Sequence, residues 1–353
     1  MKITLTTTPK TKPDYSALGF GKYFTDHMLV MDYIAEKGGW QEPEIVPYAD
    51  FGLNPATTVL HYAQGIFEGC KAYKNKEGKI TLFRTKDNLA RMNRSATRLC
   101  MPNFDVETVY NAIVELIKIE SDWIPTDEGK ALYIRPTMIG TDGALGVHAS
   151  KDYKFYVILS PVGAYYANGL KPTKIYIEDF YVRAAIGGTG EAKCIGNYAA
   201  SLLAGEKAQK LGYDQVLWLD AAEKRYAEEV GSMNMFFVID GTVVTPALNG
   251  SILPGITRDS AIKVLKANGY KVEERKVSVD ELIDAYDKGK LNEAFGTGTA
   301  AVISPVGLIS YKGRDMVINN NEMGKITSFL YDTITGIQTG KVSDELGWVI
   351  EVN

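Results

Sequence analysis

The chain is organised around the stretch Gly187–Tyr198, which reads Gly-Gly-Thr-Gly-Glu-Ala-Lys-Cys-Ile-Gly-Asn-Tyr. Glycine has no Cβ atom, so the backbone of this stretch can turn tightly and approach a bulky group. Its single lysine, Lys193, therefore stands on a shaped loop and not on the face of a helix. Three interpretations are open: a phosphate-binding loop, a lysine that forms a Schiff base with a carbonyl cofactor, or a surface lysine among turn glycines.

The phosphate-loop interpretation fails on the neighbours of the lysine. That motif requires glycine directly before the lysine and serine or threonine directly after it, whereas Ala192 and Cys194 occupy these positions. A Schiff-base lysine needs a desolvated amine with a lowered pKa more than it needs phosphate geometry. The loop alone does not separate this interpretation from a surface lysine, so the rest of the chain must decide.

The overall composition excludes several classes of protein. A chain of 353 residues is expected to form two domains, and 45% apolar with 23% charged residues is typical of a globular protein. A net charge of -4 argues against a nucleic-acid partner. No apolar run approaches the ~20 residues of a membrane span, and the N-terminus lacks an apolar signal core. We expect neither nucleic acid nor membrane as a partner.

The cysteines and histidines give no metal motif. Three cysteines are far apart and form no Cys-x-x-Cys pair, and three histidines leave little scope for a metal site. We therefore expect no metal ion and a reduced, cytoplasmic protein.

The first half of the chain mixes strands with a few helices. Asp105 is predicted to begin a helix, because apolar residues follow it at helical spacing: Val109, Ile113, Leu116 and Ile117. Two strong strands are predicted over 132–139 and 153–162. The loop between them, Gly140–Ser150, is long and rich in glycine, which is typical of a functional loop.

The second half alternates strands and helices more regularly. Strands over 174–177 and 180–183 are predicted to lead into the lysine loop, and a helix over 197–211 to follow it. Asp240-Gly241 is a strong hairpin signal. Further helices are predicted over 258–268, 278–288 and 325–339. The pattern indicates an α+β fold and not a doubly wound dinucleotide-binding fold.

Three segments of the second half could serve pyridoxal phosphate, whose aldehyde needs a lysine, whose ring nitrogen needs an acid, and whose phosphate needs backbone N–H groups and an arginine. Glu228 and Glu229 precede an apolar strand. The segment 253–258 is a Pro-Gly loop that feeds a helix, and 296–300 is a nest-like turn. Each segment alone is equally compatible with a surface acid, a helix cap or turn glycines, so spacing does not identify the cofactor.

The order of motifs resembles that of the branched-chain amino-acid aminotransferases, which are class IV (fold type IV) pyridoxal-phosphate enzymes. The resemblance extends from Phe20 nearly to the C-terminus. The matching segments are 20–29, His61-Tyr62, Phe67-Glu68-Gly69, Leu82-Phe83-Arg84, Arg91-Met92, Arg94-Ser95-Ala96, 133–136, Arg183, 193–198, Glu229-Val230-Gly231, Leu253-Pro254-Gly255 and Gly298-Thr299-Ala300.

The resemblance implies a two-domain fold and a set of residues that bind pyridoxal 5'-phosphate. A smaller N-terminal α/β domain would span 1–163, a connector 164–172, and a larger, β-rich cofactor-binding domain with helices 173–353. Lys193 would hold the cofactor covalently and then move a proton. The other implied cofactor contacts are Glu229 to the ring nitrogen, Tyr198 to the phenolic oxygen, Leu253 against the ring, Arg91, Ile256, Thr257 and Thr299 to the phosphate, and Arg183 near the phosphate and the lysine loop.

The resemblance also implies a pocket that takes both an aliphatic amino acid and glutamate. Its apolar walls would be Phe20, Phe67, Tyr133 and Tyr165. Arg135 would pair with the side-chain carboxylate of glutamate. Tyr62 and the N–H groups of Thr299 and Ala300 would bind the α-carboxylate. The loop Gly143–Val147 would reach across the interface of a homodimer.

The implied reaction is transfer of the amino group of L-leucine, L-isoleucine or L-valine to 2-oxoglutarate by ping-pong chemistry. Within the same fold, a D-amino-acid aminotransferase and an aminodeoxychorismate lyase are the alternatives. A non-catalytic binding protein is a third, although it would be expected to lack the lysine or the acid. Mammalian members carry a redox Cys-x-x-Cys after the Thr-Ala turn; here Ala301 and Ser304 stand at those positions, which excludes thiol regulation there.

Overall fold

The computed structural model of the chain describes residues 1–75, 77–163 and 170–352. Most of the predicted connector 164–172, including Tyr165, lies outside these residues. Contacts between Cα atoms divide the chain into two compact units. The first contains the chain before the undescribed stretch, Ala192–Gly196 and everything from Ile337 onwards; the second contains the rest.

The strands, in chain order, are β1 (Lys2–Ile3), β2 (His27–Ile34), β3 (Gly39–Trp40), β4 (Glu44–Pro47), β5 (Gly65–Phe67), β6 (Cys70–Lys74), β7 (Ile80–Phe83), β8 (Ala131–Gly140), β9 (Tyr153–Val162), β10 (Thr173–Glu178), β11 (Gln215–Leu219), β12 (Ala227–Val230), β13 (Met233–Ile239), β14 (Thr242–Thr245), β15 (Val272–Glu274), β16 (Leu291–Gly298), β17 (Val302–Tyr311), β18 (Arg314–Val317) and β19 (Val349–Val352). The α-helices are α1 (Thr58–Tyr62), α2 (Thr85–Arg98), α3 (Val106–Ile119), α4 (Ile195–Lys210), α5 (Ile256–Ala267), α6 (Val279–Asp287) and α7 (Lys325–Gln338).

The first unit is built on a ten-stranded sheet whose main path is β1-β4-β2-β9-β8-β6-β7-β19. Helices α2 and α3 share its hydrophobic core: Leu89 and Met92 from α2, and Ile113 from α3, are fully buried with strand residues such as Phe155. The predicted helix start at Asp105 is confirmed, because the Asp105 carboxylate accepts the N–H of Thr108 at 2.8 Å as an N-cap.

The two ends of the chain form the two edges of this sheet. β1 pairs in parallel with β4, and β19 pairs antiparallel with β7. Residues 337–353 therefore join the first unit, whereas the sequence placed them in the second domain, and the first unit becomes the longer of the two. The reason is that β7 has a free edge to be covered, a long-range pairing that local sequence patterns do not reveal.

The second unit is built on a nine-stranded mixed sheet with the path β12-β11-β10-β17-β16-β13-β14-β15. The predicted hairpin at Asp240-Gly241 joins β13 to β14. Phe236 and Phe295 on the neighbouring strands β13 and β16 stack with ring centroids 5.1 Å apart. Both rings are fully buried in the core of this unit.

One predicted strand of this unit is wrong. Residues 180–183, predicted as a strand, do not belong to the sheet, and β10 ends at Glu178. The Glu178 carboxylate accepts the N–H groups of Phe180 and Tyr181 at 2.8 and 2.9 Å. Because these N–H groups donate to a side chain and not to a neighbouring strand, the backbone bends away from the strand direction. Arg183 therefore lies beside the lysine loop.

No helix among the described residues is long and apolar enough to cross a membrane. In the same residues, no cluster of three or more histidine, cysteine or acidic side chains is arranged to hold a metal ion.

Candidate active site

Lys193 is fixed through its backbone within the first unit. Its N–H donates to the Ser95 hydroxyl of α2 at 2.9 Å, and its carbonyl accepts the N–H of Phe67 at 3.1 Å. The Lys193 ammonium lies 4.8 Å from the centroid of the Phe67 ring. The backbone of the lysine is therefore held between α2 and β5.

The surroundings of Lys193 favour its neutral amine. Burial lowers the pKa of Lys193 below its ordinary value; Glu68 opposes this effect, Arg91 adds to it, and Tyr133 and Arg135 contribute in opposite directions. A lysine with a lowered pKa can act as a nucleophile and a base near neutral pH. This is the property expected of a Schiff-base lysine.

A buried ion pair lies next to this lysine. The carboxylate of Glu68 accepts two hydrogen bonds from Arg91, from Nε at 2.7 Å and from Nη2 at 2.8 Å. Asn88 also donates to Glu68, at 3.1 Å. Burial by itself raises the pKa of Glu68, but the charge and hydrogen bonds of Arg91, with Lys193 and Asn88, hold the pKa of this carboxyl below its usual range.

An aromatic wall with one cation adjoins Lys193 on the first sheet. The Arg135 guanidinium lies 4.6 Å from the Phe67 ring centroid and 5.1 Å from that of Tyr133, and it donates to the Tyr133 hydroxyl at 3.1 Å. Phe20 meets Tyr133 edge-on with centroids 4.9 Å apart. The structure thus brings together Phe20, Phe67, Tyr133 and Arg135, as the sequence predicted for the substrate pocket.

Tyr62 lies against the predicted functional loop. Its hydroxyl donates to the carbonyl of Leu145. The base of the loop is anchored by Asp142, which accepts from Thr58 at 2.6 Å and pairs with His148 at 3.0 Å. Burial raises the pKa of Asp142, but hydrogen bonds from Ser150, Thr58 and His148 outweigh it and hold this pKa well below its usual range.

In the second unit the predicted cofactor residues gather around Glu229. Its carboxylate accepts the N–H of Leu253 at 2.7 Å and forms a 3.0 Å ion pair with Arg183 Nε. Arg183 Nη2 also donates to the carbonyls of Gly190 and Ser251, at 3.0 and 2.5 Å. Arg183 therefore links the lysine loop to the acid and the Leu253 loop. The sequence predicted the lysine-loop contact but not the pairing with Glu229.

A cavity of about 260 Å³ opens beside Glu229, and Arg183, Tyr198 and Leu253 also line it. Its size is close to the lower limit of ~300 Å³ for small-molecule sites. An acid, a phenol and an aliphatic side chain on one cavity are the groups that a pyridine ring with a phenolic oxygen needs. The residues present therefore fit pyridoxal phosphate.

The two predicted phosphate-binding turns meet at one end of β13. Helix α5 begins at Ile256 with Gly255 as its N-cap, which offers no capping side chain, so the N-terminus of the helix is suited to an anion. Asn234 of β13 donates to the Leu253 carbonyl at 2.9 Å and pairs in register with Thr297. Thr297 leads into the turn of Thr299 and Ala300, and its own buried hydroxyl has no hydrogen-bond partner among the described residues.

Three residues of the site had no role in the sequence interpretation. Glu68 and Ser95 stood inside motifs that carried the resemblance, yet nothing local showed that they contact Arg91 and the Lys193 backbone. Asn234 followed the Glu229 motif with no separate signal. Cys194, the residue directly after the lysine, is buried.

Comparison with known proteins identifies the family of the chain. Residues 65–309 match the model of the amino-transferase class IV family. The chain belongs to this class, whose members use pyridoxal phosphate.

Close relatives narrow the assignment. The chain is 60% identical, over 97% of its length and 96% of the relative, to a probable branched-chain-amino-acid aminotransferase of Staphylococcus epidermidis. It is 55% identical to branched-chain-amino-acid aminotransferase 2 of Bacillus subtilis, over 100% of this chain and 97% of that one. Within class IV, the chain therefore belongs to the branched-chain-amino-acid aminotransferases.

Solved structures confirm the predicted fold class, the two-domain α+β fold type IV. The branched-chain aminotransferase of Thermoproteus uzoniensis with norvaline superposes with a TM-score of 0.77 at 27% identity, covering 93% of this chain and 100% of that one. The branched-chain amino acid aminotransferase from Escherichia coli gives a TM-score of 0.74 at 28% identity, covering 93% of this chain and 99% of that one.

Proposed function

We propose that the protein transfers the amino group of L-leucine, L-isoleucine and L-valine to 2-oxoglutarate, giving branched-chain 2-oxo acids and glutamate. The observation that carries this proposal is the position of the Arg135 guanidinium among aromatic rings next to Lys193. The rings Phe20, Phe67 and Tyr133 offer an apolar surface to a branched side chain. Arg135 offers a charge-assisted hydrogen bond to the second carboxylate of glutamate or 2-oxoglutarate.

Bound pyridoxal phosphate supplies the electron sink that makes the α-hydrogen of an amino acid acidic. In the first unit, Lys193 Nζ accepts the proton from the substrate α-carbon, a task that its lowered pKa favours. Tyr62, with the N–H groups of Thr299 and Ala300, binds the α-carboxylate. Tyr165 is proposed as a further wall of the pocket.

The remaining proposed roles concern the cofactor. Glu229 pairs with the ring nitrogen, and Arg183 keeps this carboxylate oriented through its 3.0 Å ion pair. Tyr198 and Leu253, which line the same cavity, contact the phenolic oxygen and the ring. Arg91, the N–H groups of Ile256 and Thr257, and the Thr299 hydroxyl hold the phosphate.

We further propose a homodimer in the cytoplasm. Leu145 and Val147, in the loop predicted to cross the interface, are 66% and 85% exposed, although Asp142 anchors the base of this loop. Two exposed apolar side chains on an anchored loop favour contact with a second copy of the chain. The three cysteines are free thiols, which is compatible with a reducing compartment.

The experiment follows the two half-reactions separately. We expect Arg135→Met to leave the reaction of the pyridoxal form with L-leucine within a few-fold of the wild type. It should slow the reaction with L-glutamate by about 10- to 150-fold, because one charge-assisted hydrogen bond, worth ~1.5–3 kcal/mol, is lost. Rapid absorbance measurements of the bound cofactor give both rates.

The control is Arg225→Met, which removes an exposed arginine of the second unit and should change neither rate. Equal slowing with both amino acids would contradict the role of Arg135. Production of glutamate from D-alanine and 2-oxoglutarate, but not from L-leucine, would overturn the proposed substrates.

A further inference from the structure

Glu68 is a fully buried acid to which the proposed mechanism gives no task. Its exposed fraction is 0%. A charge without water is costly unless it is paired and hydrogen-bonded, and replacing such a pair by apolar residues is often neutral or stabilising. Stability is therefore a weak explanation for Glu68, and its position next to two functional side chains suggests another one.

The first contact is with Arg91, the proposed phosphate ligand. Two parallel hydrogen bonds to Nε and Nη2 fix the plane of the guanidinium. Asn88, one turn before Arg91 on α2, donates to the same carboxylate, and the N–H of Gly69 does so at 3.2 Å. The carboxylate is thus itself held from two sides, so the orientation of Arg91 is set by Glu68.

The second contact is electrostatic and reaches Lys193. The residue before Glu68, Phe67, donates its N–H to the Lys193 carbonyl. Ser95, one turn after Arg91 on α2, accepts the Lys193 N–H. Strand β5 and helix α2 therefore together position Glu68, Arg91 and Lys193. The charged or titratable groups that act on Lys193 within this unit include Glu68, Arg91, Tyr133 and Arg135.

Glu68 supplies negative charge to a cluster that contains three cationic side chains. Without this charge, Tyr133 would be left to oppose the effect of Arg91 and Arg135 on Lys193. The pKa of Lys193 would then fall further, and more of the lysine would be the neutral amine. With it, Lys193 can still take up a proton when the reaction delivers one.

We propose that Glu68 is a positioning residue of the aminotransferase reaction, which orients Arg91 towards the cofactor phosphate and balances the charge around Lys193. The inference rests on the proposed roles of Lys193 and Arg91. This role of Glu68 differs from a purely structural one in one respect. Loss of a structural ion pair would change the stability of the protein but not the protonation of Lys193.

The test uses the full chain stripped of cofactor and measures the uptake of pyridoxal phosphate by absorbance between pH 6 and 10. Only the neutral amine of Lys193 attacks the aldehyde, so the pH midpoint of the uptake rate reports its protonation. For Glu68→Gln, which keeps the size and removes the charge, we expect a midpoint at lower pH. We also expect at least about tenfold weaker retention of the cofactor, because Arg91 loses a charge-assisted partner.

Two further variants separate the effects. Glu68→Asp keeps the charge but is one methylene shorter, so it should weaken retention and leave the midpoint near that of the wild type. Glu107→Gln removes an exposed acid that pairs with Lys86 of α2 at 2.8 Å and should change neither quantity.

The outcomes are distinguishable. A Glu68→Gln protein that folds with an unchanged midpoint and unchanged retention overturns the inference about Glu68. If Glu68→Gln does not fold, the inference is decided by Glu68→Asp, which overturns it if retention is unchanged. Covalent uptake that persists in Lys193→Ala would instead contradict the proposed function of the lysine loop.

Discussion

Lys71 is a buried lysine at the edge of the site, and we expect its charge to lower the stability of the folded protein. It lies on β6 directly opposite Tyr133 of β8, so the two side chains share the face of the sheet that carries Arg135. Burial lowers the pKa of Lys71 to about 8. The unfolded chain would titrate the same group near ~10.4, so the folded state binds this proton less well.

The sign of the resulting pH dependence follows from proton binding. Between about pH 8 and 10 the unfolded chain holds the proton on Lys71 and the folded chain does not. We therefore expect Lys71→Met to be more stable than the wild type at pH 7, by on the order of 3 kcal/mol, and most of this advantage to be lost as the pH approaches 10. Urea denaturation at both pH values measures it.

The control is Lys118→Met, which removes an exposed lysine of α3 and should show no such change between the two pH values. If Lys71→Met is less stable than the wild type at pH 7, the interactions of the Lys71 ammonium in the folded protein outweigh the free energy that the ammonium loses on leaving water.

Several individual residues could be predicted and others could not. Lys193 and Glu229 were identifiable because their chemistry and their motifs agree. The partner of Arg91 was not, because the hydrogen bonds that Arg91 donates to Glu68 join positions 23 residues apart. Such pairings depend on how β5 and α2 pack, and no local pattern encodes this.

At the scale of elements, the N-terminus of α5 depends on a glycine. A Cβ atom on Gly255 would lie 2.0 Å from the Oδ1 atom of Asn234, the residue that donates to the Leu253 carbonyl. The φ angle of Gly255 is -66°, so close approach, and not backbone strain, requires glycine here.

We expect Gly255→Ala to displace Asn234 and to disturb both the Leu253 loop and the anion-binding turn of Ile256 and Thr257. Overpacking of this kind costs about 1–3 kcal/mol, which corresponds to roughly a 5- to 150-fold weaker binding of pyridoxal phosphate if it falls on the bound state. Equilibrium titration of the stripped protein measures the dissociation constant.

Gly52→Ala is the matched control, because a Cβ atom there would meet nothing within 4 Å. Tight cofactor binding by Gly255→Ala would mean that Asn234 can move without loss and that the tether to Leu253 is dispensable.

The regular elements were the most predictable part of the fold. Helices α3 and α6 were both predicted from the sequence, and in the structure each has an N-cap side chain, Asp105 and Ser278 respectively. The predicted strand over 180–183 failed because its apolar and aromatic residues mimic a strand, while Glu178 captures the N–H groups that a strand would use.

At the scale of the molecule, the loop 143–147 provides a test of the proposed homodimer. We expect Val147→Asp to weaken association by at least about tenfold, because a carboxylate would have to be buried in the interface. Sedimentation velocity over a range of concentrations measures the change. Transaminase activity should fall with the dimer fraction if the loop completes the site of the partner.

The control Val342→Asp alters a half-exposed valine outside this loop and should leave association unchanged. A wild-type monomer would contradict the homodimer itself, whereas an undiminished dimer in Val147→Asp would contradict only the place of this loop in the interface.

The sequence by itself determined the α+β class and, through the order of its motifs, the family and the chemistry expected of it. The lysine loop, the acid and the glycine turns are local signals that depend on residue type and short spacing, and they indicated the cofactor only in that combined order. The tertiary structure decided what long-range pairing controls: the C-terminal strand β19 on the first sheet, Arg183 on Glu229 and Glu68 between Arg91 and Lys193. The pairing of a sheet edge or a buried charge depends on which groups lie close in space. These pairings could therefore be identified only from the folded structure.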